Sequence, residues 1–159
     1  MANWCINTVT FEANEPVIEQ IRVLFIEMAE KEILTNQGQL PPFYNAESGY
    51  LFEIDSEESQ LSYLTKWSPN IMVMVAVAHQ YKADFVYNYE ELNMRIYGIA
   101  IYRKGVLIDI RLAPEDFGLY QFDEQSKSYV FESNNYRDDA TILEILLHRK
   151  VKQLYKPNL

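Results

Sequence analysis

Thr65-Lys66-Trp67-Ser68-Pro69 runs into the apolar block Ile71-Met72-Val73-Met74-Val75-Ala76-Val77-Ala78 and on to Asp84-Phe85-Val86-Tyr87-Asn88-Tyr89-Glu90-Glu91. How this stretch is read decides the fold. Ser68-Pro69 is a helix-start signal, because serine can accept from a free amide and proline suits a first turn whose N–H groups have no partner. The block is apolar at every position, so periodicity does not separate helix from strand, and its valines favour strand. The start signal and the distance to the next strand at Asp84 decide for helix. On that reading Ile71, Met74, Val75 and Ala78 face a sheet. Met72, Val73, Ala76 and Val77 then need a cover, from the C-terminal helix or a second chain.

Downstream, Phe85, Tyr87 and Tyr89 alternate with Val86, Asn88 and Glu90, and Tyr97, Ile99 and Ile101 alternate with Gly98 and Ala100. Arg103-Lys104-Gly105 turns into Val106–Leu112, which predicts an antiparallel meander of three strands. Gly98 in mid-strand predicts a bulge or a large side chain lying across it. Upstream, Trp4–Ala13 reads as a first strand, with Trp4, Ile6, Thr8 and Thr10 set against Cys5, Val9 and Phe11. Asn14-Glu15-Pro16 opens a helix that ends near Thr35-Asn36-Gln37-Gly38. Pro41-Pro42 makes a loop that tucks Phe43 against the domain. Tyr50–Asp55 and Gln60–Trp67 read as a hairpin turning at 56–59. Beyond Ala113, Leu119–Phe122 and Ser128–Glu132 form a small hairpin, and Asp139–Leu154 forms a last helix.

At 159 residues and 48% hydrophobic content the chain is long and apolar enough to bury one core. It contains no run of about 18 apolar residues, as a membrane helix requires, and Met1-Ala2-Asn3-Trp4 has no signal-peptide pattern. A single cysteine, Cys5, allows no internal disulfide and fits a reducing, cytoplasmic compartment. The net charge is −9, and Met1–Trp67 carries 11 acids against 3 bases while Ser68–Leu159 carries 12 against 11. Such a field repels phosphate backbones and disfavours nucleic acid. It leaves open an acidic face that mimics nucleic acid on a basic host protein.

The residues for chemistry are sparse. One Cys and two His, His79 and His148, offer no metal-ligand spacing. Nothing pairs either histidine with Cys5, which lies in a predicted central strand. The pairs Glu57-Glu58, Glu90-Glu91, Glu115-Asp116, Asp123-Glu124 and Asp138-Asp139 fall mostly in predicted turns and helix starts. Five scattered glycines build no phosphate loop. Aromatic strands can stack single-stranded bases, but Phe85, Tyr87 and Tyr89 are expected to face the core.

The opening Met1-Ala2-Asn3-Trp4-Cys5-Ile6-Asn7 resembles the Asn-Trp-Cys-x-Asn start of the YubB-type (Api-like) ferredoxin-like proteins of plasmids, phages and bacterial chromosomes. Thr65-Lys66-Trp67-Ser68-Pro69, Tyr89-Glu90-Glu91, Tyr97-Gly98 and the Arg103-Lys104-Gly105 turn match in the same order. The similarity spans roughly Ala2–Leu112, departs between Thr35 and Ser59, and leaves the tail beyond Ala113 outside it. It implies an α+β, ferredoxin-like β-α-β-β-α-β antiparallel sheet with helices on one face and no established activity.

The expectation is therefore a ferredoxin-like domain over 1–112 with a C-terminal hairpin and helix, 113–159, packed on it. The expected role is non-enzymatic protein binding without cofactor or metal, in a protein of bacterial or mobile-element origin, with self-association left open. Trp67, Tyr89, Glu90 and Gly98 are the candidate binding residues. The alternatives are the acidic mimic and an uncharacterised hydrolase or small-ligand protein.

Overall fold

The structure, a computed structural model, describes residues 2–155. In chain order the elements are β1 (Trp4–Glu12), α1 (Glu15–Thr35), β2 (Phe52–Glu57), β3 (Gln60–Lys66), α2 (Ile71–Tyr81), β4 (Asp84–Glu91), β5 (Ile96–Arg103), β6 (Val106–Arg111), β7 (Gln121–Asp123), β8 (Ser128–Phe131), β9 (Asn134–Tyr136) and α3 (Asp139–Leu154). Short 3₁₀ turns lie at Leu92–Met94 and Pro114–Gly118. The chain forms two compact units, one up to Asp109 and one from Ile110 onward.

In the six-stranded sheet the order is β2-β3-β1-β4-β5-β6. Its first four members, with β1 antiparallel to both β3 and β4, are two interleaved split β-α-β units, the ferredoxin-like arrangement. β5 and β6 extend the sheet as the meander that the alternation predicts. Asn14 caps α1 by accepting from the Val17 amide at 3.1 Å, and Asn36 ends the helix in the left-handed conformation. Ile21, Leu24, Phe25 and Met28 of α1 meet Cys5, Val9, Phe11, Phe85 and Tyr87 from the sheet in one core. Tyr87 and Phe85 are fully buried, Tyr89 nearly so, and none of them is a stacking platform.

α2 packs on the same face in a phase different from the predicted one. Val73, Met74, Val77 and Ala78 are buried, while Val75 and Ile71 are only half-buried and Met72 is exposed. A block apolar at all positions has no stripe from which to read rotation. On the outer side of α2, Phe43 and Tyr44 of the proline loop supply cover from within the same unit, and Phe43 meets Tyr81 edge-on at 6.1 Å. Ser68 does not cap α2. Asn70 holds that position, and Ser68 is engaged in a tight turn described below. Gly98 causes no bulge: β4 and β5 pair in unbroken register with Gly98 opposite Tyr89. The bulge lies instead in β2, where Glu53 has φ 50°. β2 is an edge strand, and its bulge and its acids Glu53, Asp55 and Glu57 discourage pairing with another chain.

The second unit holds the three-stranded sheet β7-β8-β9 and α3. The predicted hairpin is present, and β9 adds a third strand to it although Asn134-Asn135-Tyr136 carries no strand pattern. It forms because Glu132 (φ 48°) and Ser133 (φ 64°) make a two-residue turn in the left-handed region. Arg149 of α3 holds Glu132 through two bonds of 2.7 and 2.9 Å and lies over the Phe131 ring. Asp138 caps α3, and Lys150 pairs with Asp116 at 2.7 Å. No helix among the described residues is long and apolar enough to cross a membrane.

Candidate functional site

The site begins with a buried polar chain. Asn7 in mid-β1 is completely enclosed, which is costly for an amide unless every polar atom is satisfied. Its Nδ2 donates to the Cys5 carbonyl and to Thr65 Oγ1, both at 3.0 Å, and Thr65 in turn donates to the Ser68 carbonyl at 2.7 Å. Asn7 Oδ1 accepts from the Tyr87 hydroxyl at 2.7 Å, and that hydroxyl accepts from the Asn70 amide at the start of α2 at 3.2 Å. Tyr63 donates to Asn70 Oδ1 at 2.6 Å, and Asn70 Nδ2 donates to the Gly49 carbonyl at 2.8 Å. No buried side-chain nitrogen or oxygen among the described residues lacks a partner. Burial drives the hydroxyl pKa values of Tyr63 and Tyr87 well above the usual tyrosine range. Both therefore stay neutral donors.

This chain ties β1, β3 and β4 to the start of α2, and in doing so it shapes the turn between β3 and α2. The Ser68 amide donates to the Lys66 carbonyl at 2.9 Å, closing a three-residue γ-turn centred on Trp67, whose φ is 71°. A left-handed φ is strained for a bulky aromatic residue. Two bonds hold it there: Trp67 N–H to the Asn3 carbonyl at 2.8 Å, and the Thr65–Ser68 bond that spans the turn. The result is a tryptophan with a fixed backbone and a half-exposed side chain.

Around it the sheet face opposite the helices presents a patch. Cross-strand register places Phe52, Leu64, Ile6, Glu90 and Tyr97 in one row, and Trp4 beside Lys66 at its margin. Trp4, Ile6 and Trp67 are 41, 51 and 49% exposed. Trp4 meets Phe52 edge-on at 5.1 Å, and the Lys66 ammonium lies 5.1 Å from the Phe52 ring centre and 5.9 Å from that of Trp4. The exposed Leu92 and Met94, in the β4–β5 connection, lie at the same end of the sheet.

The four predicted residues divide between the two faces. Trp67 and Glu90 belong to this end. Tyr89 and Gly98 pair with each other on the helix-covered face, and the Tyr89 hydroxyl donates to Asp109. Sequence reasoning missed Trp4, Ile6, Phe52 and Lys66. The alternation in Trp4–Ala13 already set Trp4 and Ile6 on one face, and their exposure was the missing step. Elsewhere Cys5 is enclosed and His79 is exposed, on the margin of an open groove of about 370 Å³ with Phe43, Met72 and Val75. The acid pairs sit at strand ends, turns and helix starts: Glu91, the last residue of β4, accepts from the amides of Asn93 and Met94, and Asp123, the last of β7, from those of Gln125 and Ser126. Among the described residues no three of His, Cys, Asp or Glu gather as a metal site.

No curated protein and no solved structure shows a significant match to the chain. A family model, the ferredoxin-like domain in Api92-like protein, matches residues 44–132. The match runs past Ala113 through β8, further than the resemblance carried by the short motifs, and the opening Asn-Trp-Cys-x-Asn lies outside it. Because it covers more than half of the chain, the protein belongs to the family of ferredoxin-like domains of Api92-like proteins.

Proposed function

We propose that this protein is a non-enzymatic binding module that engages a protein partner through the end of the sheet bearing Trp4, Ile6, Lys66 and Trp67. The observation that carries this reading is the strained γ-turn that fixes Trp67 half in solvent. Strain of this kind is kept where the surrounding structure over-determines it, and here a buried hydrogen-bonded chain does so. A residue whose backbone is already fixed has no backbone freedom left to lose on binding. Tryptophan is also the residue type most enriched among those that dominate binding energy. Exposed Ile6, Leu92 and Met94 supply the apolar surround.

The test is affinity capture from the protein's own cells at low and moderate salt, with the wild-type chain and the Ile6→Glu/Trp67→Ala variant. A stoichiometric partner that survives moderate salt and is lost with the variant supports the proposal. A partner released by salt and indifferent to the variant overturns it. That outcome points to the acidic end, where Glu12, Glu15, Glu19 and Glu58 line an open groove of about 540 Å³.

A further inference from the structure

We infer that the Trp4–Trp67 end takes a second copy of this chain, through a two-fold interface in which Lys66 of each copy meets Glu90 of the other. The inference rests on the reading of that end as an interface, and it names the occupant. An isologous interface needs a self-complementary patch, so that one residue's partner also receives that residue's own kind in return. This patch has that property. Its sheet face carries one cation and one carboxylate, Lys66 and Glu90, with the exposed Arg95 in the β4–β5 connection beside them, and neither Lys66 nor Glu90 has an ion-pair partner among the described residues. Lys66 lies beside Trp4, and Glu90 beside Ile6, on the opposite flanks of β1. Strand spacing and rise put them about 12 Å apart, diagonally across the exposed Trp4 and Ile6 side chains. A two-fold axis in the plane of the interface, crossing β1 between Trp4 and Ile6, brings each Lys66 over the other copy's Glu90. The four apolar side chains then meet between the two ion pairs.

Charge distribution permits the association. The acids that line the groove, Glu12, Glu15, Glu19 and Glu58, sit at the far end of β1, at the start of α1 and in the β2–β3 turn. The far end of β1 lies about 20 Å from the proposed axis, well beyond the roughly 8–10 Å over which salt leaves charges unscreened. Trp4, Ile6, Trp67, Leu92 and Met94, each 40% or more exposed, supply the apolar surface that such an interface would cover.

Sedimentation equilibrium from about 1 to 500 µM reads the association across the range of modest affinities. The expected result is a monomer–dimer equilibrium in the wild-type chain. Lys66→Glu and Glu90→Lys should each raise the dissociation constant about ten-fold or more, because each places two like-charge pairs in the interface. The double variant Lys66→Glu/Glu90→Lys should restore it to near the wild-type value. That restoration also shows that the single variants have not simply misfolded. A wild-type chain that stays monomeric overturns the inference and leaves the binding of a different protein to the capture experiment. A dimer indifferent to the single reversals, or not restored by the double, equally overturns it.

Discussion

Trp67 combines strain with exposure, and the two make opposite demands on stability and function. A left-handed φ costs a non-glycine residue about 1–2 kcal/mol, which glycine does not pay. Trp67→Gly is therefore expected to leave stability to urea unchanged or raise it by up to about 1 kcal/mol, while partner binding is lost; a clear fall in stability would show that the indole supports the fold. Asn7 is the reverse case, since it is enclosed and joins three strands. Asn7→Ala strips partners from Thr65 and Tyr87 and should lower stability by about 2–4 kcal/mol in the same assay. Tyr63 and Tyr87 add a pH dependence. Burial raises their folded-state pKa values, so their contribution is complete below the unfolded value of about 10 and declines as pH climbs above it. Absorbance near 295 nm should show these two hydroxyls ionising only together with alkaline unfolding, and normal titration in the folded protein would contradict their burial.

At the scale of elements, Gly38 joins the end of α1 to the patch. A Cβ there would lie 2.5 Å from the Phe52 ring, which packs on Trp4. Gly38→Ala should cost about 1–2 kcal/mol and shift tryptophan emission as Phe52 is displaced; a neutral variant with unchanged emission would show that the ring moves freely. The elements were legible wherever two independent signals agreed. Asn14 with Glu15-Pro16 marks α1, and the alternation of Phe85, Tyr87 and Tyr89 marks a strand with one buried face. The rotation of α2 was not legible, because a helix apolar all round shows its buried side only against the sheet that covers it. Nor was the role of Ser68-Pro69, since the same dipeptide that opens helices here closes a γ-turn through bonds to Thr65 and Lys66. β9 depends on two left-handed residues, Glu132 and Ser133, which lack the Asn, Asp or Gly that mark a left-handed two-residue turn in sequence. The patch was legible only as a face of β1, because exposure depends on what packs above it.

For the whole molecule, short motifs far apart in the chain converge on one device. Asn7 from the opening motif donates to Thr65 of the second, Thr65 donates to the Ser68 carbonyl, and together they hold the turn that displays Trp67. The central claim is that this rigid end is the surface the protein binds with. Its two tryptophans, Trp4 and Trp67, are the only ones in the chain, so tryptophan emission reports on that end alone. The decisive measurement is acrylamide quenching of this emission in the free protein and in its stoichiometric complex. The prediction is ready quenching when free, with a steep loss of quenching and a blue shift on binding. Equal quenching in both states would contradict the claim and place the binding surface elsewhere.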